Sequence, residues 1–253
     1  AIATAVAGIA YERGLATGHD LEGTITVPFC PESRLSGVAH TDFMKQVWYR
    51  REFRVPREMT GQRLLLHFGA VDWHARVWVN GTLVGEHKGG YTPFACEITN
   101  QVRSGDNEVV VCARDDTRSG LQATGKQSHE RDSYGCVYTR TTGIWQTVWL
   151  EAVGTTYLSD FCLVPDSDTG RVTFQGTVNG PCEGVKLRLK ALAGPRTVAH
   201  DEVPARGRST LALLKVDDPH LWQPGKPYLY DLEIVLEKDG HDIDRVRSYF
   251  GSK

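Results

Sequence analysis

The sequence predicts an all-β protein built of two sandwiches, and three observations carry that expectation. Period-two alternation of apolar and polar residues recurs along the chain, as half-buried strands require. No long window holds a 3.6-residue apolar period with caps at both ends. The chain also changes character after Val153, since Trp48, Trp73, Trp78, Trp145 and Trp149 precede it and only Trp222 comes later. At 253 residues there is room for one large domain or two of ordinary size, and a core can form without disulfide staples.

Taken in order, the small apolar run Ala1 to Ala10 reads as a first strand, because the positively charged region that opens a signal peptide is missing. Val47, Tyr49, Phe53 and Val55 share one face of the next strand, with Arg51 an outlier among them. Leu64, Leu66 and Phe68 point one way, while Leu65 and His67 point the other. Val77 and Val79 lead into Asn80-Gly81, and Leu83 and Val84 come next. Asn-Gly between apolar runs is a strong hairpin signal, because both turn residues must take positive φ. Glu108 to Arg114 and Gln146 to Val153 complete this part, and residues 1–153 suit a jelly roll or a larger sandwich.

Gly154-Thr155-Thr156 is a short polar join. Strands are then expected from Tyr157, over Arg171 to Val178, Val185 to Leu192 and Thr210 to Val216. Tyr228, Tyr230, Leu232, Ile234 and Leu236 share one face of another, and Asp239-Gly240 turns the chain into Ile243 to Phe250. Roughly seven short strands in about 100 residues make the pattern of an immunoglobulin-like sandwich over residues 154–253. Trp222 is expected to plug its core.

Composition excludes several function classes. Basic and acidic residues number 29 and 31, so nothing electrostatic favours nucleic acid. No apolar stretch is long enough to span a bilayer. Cys30, Cys96, Cys112, Cys136, Cys162 and Cys182 form no C-x-x-C pair and no zinc-ligand spacing, which reads as mostly free thiols in a core. No metal and no cofactor are expected. Gly120 to Lys126 matches the start of a phosphate-binding loop, yet Gln127 stands where Ser or Thr belongs and Ser128 to Asp132 are too polar for a buried helix. Asn80-Gly81-Thr82 is formally a glycosylation sequon but is better explained as turn chemistry. Neither a G-x-S-x-G elbow nor an H-E-x-x-H pair is present.

One segment stands out. Asp115 to Gly143 is a long loop between two strands, rich in Gly, Arg, Asp, Gln and Tyr. Loops of this length in a compact sandwich are functional or disordered, and Tyr134, Tyr138 and Arg140 argue against disorder. Aromatic faces against sugar C–H groups, with Arg, Asp and Gln on hydroxyls, make a carbohydrate-reading surface. Tyrosines packed on the sandwich are the plainer alternative.

Several stretches resemble one family. They are VPFCPESRLSG (Val27 to Gly37), HTDF and VWYRREF (His40 to Phe53), VDWHARVWVNGTLVGEHKGGYTPF (Val71 to Phe94), GDNEVVVCARDD (Gly105 to Asp116) and YTRTTGIWQTVWLE (Tyr138 to Glu151). In order, they resemble the galactose-binding-like jelly roll that opens glycoside hydrolase family 2, the β-galactosidase, β-glucuronidase and β-mannosidase group. DDPHLWQPGKPYLYDLEIVL (Asp217 to Leu236) resembles the end of that family's immunoglobulin-like domain. The resemblance implies a β-glycoside substrate, most plausibly a galactoside, and homo-oligomerisation. It also implies that catalysis belongs to a (β/α)8 barrel of roughly 200 residues or more that this sequence does not contain. No catalytic residue is therefore assigned, and the chain alone is expected to be inactive. By the same resemblance the rim of the sugar pocket would take His40 and Asp42 from one loop, and Lys126, Gln127, Asp132, Tyr138 and Arg140 from the long one. Asp42 could equally cap a turn, and Arg140 could form a structural ion pair at the loop base. Trp48, Trp145 and Trp149 read as packing residues. The alternative to an accessory portion of a hydrolase is a free-standing carbohydrate-binding or structural module. Its compartment, cytoplasm or bacterial periplasm, stays open.

Overall fold

The computed structural model describes the strand backbone of residues 5–11 and all of residues 23–253. Its chain divides into two compact units, Ala1–Ala152 and Val153–Lys253. Strands dominate both, and among the described residues the only helical segments are single 3-10 turns such as Arg34–Ser36.

The first unit holds β1 (Ala5–Tyr11), β2 (Gly23–Val27), β3 (Gln46–Arg54), β4 (Arg63–Phe68), β5 (Val71–Asp72), β6 (His74–Val79), β7 (Thr82–Lys88), β8 (Phe94–Glu97), β9 (Asp106–Arg114), β10 (Gly143–Ile144) and β11 (Val148–Val153). A six-stranded sheet in the order β2-β1-β3-β9-β6-β7 faces the shorter sheets β11-β4-β8 and β10-β5. The strand expected at the amino end is β1, though residues 1–4 lie outside the described residues. Val47, Tyr49, Val77, Val111 and Ala113 meet Leu64, Leu66, Phe68 and Leu150 in one core. The intervening residues of the same strands face the other way. There Trp48 and Trp78 stack at 5.6 Å, reaching across the smaller Val110 and Cys112 of β9.

Arg51 keeps the inward register of β3, opposite Val109, and lines an apolar cavity of about 60 Å3 with Tyr49 and Phe53. The β6–β7 hairpin turns at Asn80 (φ 49°) and Gly81 (φ 82°), both left-handed as that turn demands. The Asn80 amide donates to the Gln101 carbonyl (2.7 Å) and the Asn107 side chain (2.8 Å), and its oxygen accepts the Glu108 N–H (2.9 Å). The formal sequon is therefore a turn and a strap.

The second unit is a sandwich of β12 (Tyr157–Asp166), β13 (Arg171–Asn179) and β16 (Thr210–Lys215) against β15 (Arg196–Pro204), β14 (Val185–Ala193), β17 (Tyr230–Lys238) and β18 (His241–Phe250), each sheet in that order. The β15 strand escaped the sequence reading because its alternation is weak; pairing with β14 over Lys186 to Ala193 defines it. Leu187, Leu189, Leu232, Ile234 and Leu236 fill the core from one sheet, and Val172, Phe174 and Leu214 from the other.

Two expectations fail here. Trp222 does not fill the core. It sits half-buried in an irregular segment, donating its backbone N–H to the Ser252 carbonyl at 2.6 Å, while Tyr230 stacked on Phe250 at 5.2 Å does the filling. All six cysteines are free, but only Cys96 and Cys112 are buried, and Cys136 and Cys162 are exposed, because a loop and an outward strand position carry them. Phe174 is fully buried and stacks on Phe161 at 5.7 Å. Phe174→Ala is expected to destabilise the second unit by about 3–5 kcal/mol, read by denaturant titration of tyrosine fluorescence.

Candidate carbohydrate-binding site

The long loop leaves the end of β9 and returns at β10 without forming any helix. The segment Gly120 to Lys126 thus has no helix N-terminus to converge amides on a phosphate. Three buried carboxylates hold the loop from beneath. Asp115 accepts from the Gln122 amide (2.5 Å) and the Thr142 hydroxyl (3.3 Å). Glu32 accepts the Thr142 backbone N–H at 3.1 and 3.2 Å. Asp72 accepts the Gln127 amide at 3.0 Å, and the Gln127 carbonyl accepts the Thr141 N–H at 2.7 Å.

Burial dominates the chemistry of these acids. It pushes the Asp72 carboxyl up to about 7, with the neighbouring charge of Asp115 adding to the shift and the Gln127 bond opposing it. It pushes Asp115 up to about 6 against the bonds from Gln122 and Thr142, and raises Glu32 as well. The free oxygen of Asp72 is buried without a partner among the described residues. Gly90 lies directly against this carboxyl, and a Cβ there would come within 2.5 Å of it. Glycine at 90 is what lets the Gly89–Tyr91 turn close over Asp72.

Arg140 ties the loop down from the other side. Its buried guanidinium donates to the backbone carbonyls of Thr41, Glu130 and Arg131, and lies 4.1 Å over the Phe43 ring. No carboxylate among the described residues bonds to it, so in place of the ion pair considered from sequence it clamps backbone carbonyls. Asp42 sits where that clamp meets the 40–43 segment. One of its oxygens accepts the Phe43 N–H at 2.8 Å, the other lies 3.6 Å from Arg131, and the Phe43 bond first, then Arg131 and His40, hold its carboxyl below the usual range.

The remaining site residues are exposed. The His40 backbone N–H donates to the Pro31 carbonyl (2.9 Å), the Lys126 carbonyl accepts the Tyr138 N–H (2.9 Å), and the Asp132 carbonyl accepts the Ser128 hydroxyl (2.8 Å). All three side chains reach solvent. The Tyr138 hydroxyl lies 3.2 Å from that of Tyr91, and the two rings are 42% and 62% exposed. The Tyr138 hydroxyl, together with partial burial, pushes the Tyr91 phenol up to about 12. Trp145 meets the Tyr91 ring edge-on at 5.6 Å and donates its indole N–H to the Gly90 carbonyl at 2.7 Å. Trp149 stacks on His67 at 4.7 Å. The result is an open aromatic ledge with polar groups beside it and a buried, hydrogen-bonded polar floor below. Such a surface can stack on a sugar ring and hydrogen-bond its hydroxyls.

Two family models match the chain in sequence. The sugar binding domain of glycosyl hydrolases family 2 covers residues 35–151, and a second model of the same family covers residues 156–253. The chain belongs to glycosyl hydrolase family 2. Among its curated relatives, a β-galactosidase of Thermoanaerobacter pseudethanolicus is 28% identical over 210 residues, covering 80% of this chain and 28% of its own length. A β-glucuronidase of Paenibacillus borealis is 27% identical over 208 residues, covering 77% and 34%, and that of the dog is 30% identical over 218 residues, covering 77% and 33%. The chain thus spans about a third of the length of the curated relatives it matches. The fold is shared with a Bifidobacterium dentium β-glucuronidase at a TM-score of 0.78 and 21% identity, over 98% of this chain and 47% of that one. A Ruminococcus gnavus β-glucuronidase comes next at 0.76 and 19%, over 98% and 44%.

Within this family 2 chain, the structure brings Tyr138 to Tyr91 and brings His40 and Asp42 to the Arg131 and Arg140 end of the loop. It places Gln127 and Arg140 beneath the surface, as supports. The sequence reading missed Tyr91 and all three floor acids. Gly89-Gly90 before an aromatic was the available signal for Tyr91; the acids lie on separate segments with no local pattern.

Proposed function

We propose that this chain forms the two non-catalytic sandwiches of a larger β-glycosidase that acts on galactosides. The carrying observation is that two family 2 models match it in succession while it spans about a third of its relatives' length. In this reading Tyr91 and Tyr138 stack on the substrate and His40, Asp42, Lys126 and Asp132 engage its hydroxyls at the rim. Gln127 and Arg140 act as positioning residues that keep the ledge in place, which matters because small misplacements of a bound sugar are costly. A catalytic barrel outside this sequence supplies the acid/base chemistry, and homo-oligomerisation is part of the same proposal.

Purified 253-residue protein is expected to hydrolyse no nitrophenyl β-glycoside above background. Turnover that persists through further purification and vanishes on mutating a glutamate of this chain would overturn the proposal. Immunoprecipitation of the gene product from source cells should yield a longer protein that favours nitrophenyl β-galactoside over the glucuronide. A preference for the glucuronide would overturn the galactoside assignment alone. The exposed tyrosine pair also favours a second reading, a carbohydrate-binding module acting by itself, for which a native product of 253 residues that binds galactose would decide.

A further inference from the structure

A second polar cleft opens on the outward face of the six-stranded sheet, and neither tyrosine of the ledge lines it. Its floor is a cross-strand row in which Arg114 of β9 pairs with Gln46 of β3 on one side and His74 of β6 on the other. Residues in such a row project from the same face side by side. Trp73, immediately before β6, and Leu121 of the long loop, 87% exposed, help enclose a volume of about 470 Å3. That is the size of a site for one or two sugar rings.

The charges around the cleft are paired off with one exception. Lys45 lies 3.3 Å from Asp116, and His74 lies 2.7 Å from Glu86. The Gln122 amide is held by Asp115. The Arg114 guanidinium is exposed and makes no hydrogen bond or ion pair among the described residues. A planar fork of N–H donors matches a carboxylate or sulfate geometrically, and an adjacent indole offers a flat apolar surface for ring C–H groups.

We propose that this cleft binds a pyranose ring bearing an anionic substituent, with Arg114 on the anion and Trp73 against the ring. The Gln46 amide, on the same row, is within the site to meet a ring hydroxyl. Sugar carboxylates and sugar sulfates share this chemistry, and both are probes in the test.

The test is an NMR titration of the full 253-residue chain with galacturonate, galactose 6-sulfate and methyl β-galactoside. Saturable shifts of the Trp73 indole N–H and the Arg114 Nε–H are expected at millimolar concentrations of one or both anionic sugars. The galacturonate and sulfate arms identify which anion is preferred. The neutral sugar should bind at least about tenfold more weakly. Arg114→Gln should abolish that preference while leaving the unfolding midpoint unchanged, since the side chain is exposed, and Trp73→Ala should weaken both anionic sugars. Equal affinity for the neutral sugar, no saturable shift at these two groups, or an Arg114→Gln protein that keeps the preference would each overturn the proposal.

Discussion

Arg140→Ala is expected to destabilise the first unit by about 2–4 kcal/mol and to release the long loop. The guanidinium is buried and serves the carbonyls of Thr41, Glu130 and Arg131 together, so its removal unties three backbone groups at once. It also covers the Phe43 ring at 4.1 Å. Arg140→Lys should recover little, because a single ammonium cannot reproduce a planar fork that bonds several carbonyls at once. Arg118 provides the internal control. Its guanidinium lies 3.8 Å over the same ring but is exposed, so Arg118→Ala should have an effect of only about 0.5–1 kcal/mol. Hydrogen exchange should show faster amides at Ser128 and Glu130 in the Arg140 variant alone. Equal losses for the two alanine variants would mean that Arg140 is not a clamp.

The second large effect is a dependence of stability on pH that runs opposite to ordinary acid denaturation. Asp72 has its carboxyl pushed up to about 7 and Asp115 to about 6, both mainly by burial. An unfolded aspartate titrates near 4. The folded state therefore holds these protons more tightly, and the associated stability is complete below about pH 4. It declines as pH rises through about 6 for Asp115 and about 7 for Asp72. For Asp72 the full span corresponds to about 4 kcal/mol.

Exposed carboxylates such as Asp106 and Glu97, held low by Arg54 and Arg63, act in the other direction, so the sharp readout is a difference between proteins. Asp72→Asn keeps an acceptor for the Gln127 amide but cannot ionise. Relative to the wild type it should gain about 2–4 kcal/mol between pH 4 and pH 8, whatever its constant offset from the altered hydrogen bonding. Denaturant titrations at several pH values measure that slope, and a difference that stays flat across the window would rule out a buried titrating Asp72.

The two kinds of knowledge separate cleanly along the chain. The strands around Leu64 to Phe68, Val77 to Val79 and Val185 to Leu192 were legible because side-chain alternation is a local property with a period of two. The Asn80-Gly81 hairpin was legible for the same reason, since positive φ is a demand on two adjacent residues. Weakly alternating β15 was not, and neither was the half-buried place of Trp222, because both depend on which partner lies alongside.

The loop from Asp115 to Gly143 marked itself as unusual by length and composition alone. Which of its residues would face solvent could not be read there. Tyr138 and Lys126 reach outward while Gln127 and Arg140, from the same stretch, turn inward. The fold class, the hairpins and the family were thus written in the sequence, in patterns spanning a few residues or in recognisable motifs. The division of the site into ledge and floor was decided only by the tertiary structure. It rests on Arg140 meeting Thr41, Thr142 meeting Glu32 and Gln127 meeting Asp72, pairs separated by 99, 110 and 55 residues. Burial and hydrogen-bond partners at such separations exist only once the unit is folded; burial then raises the carboxyls against the bonds they accept, and the carbonyl partners consume the guanidinium.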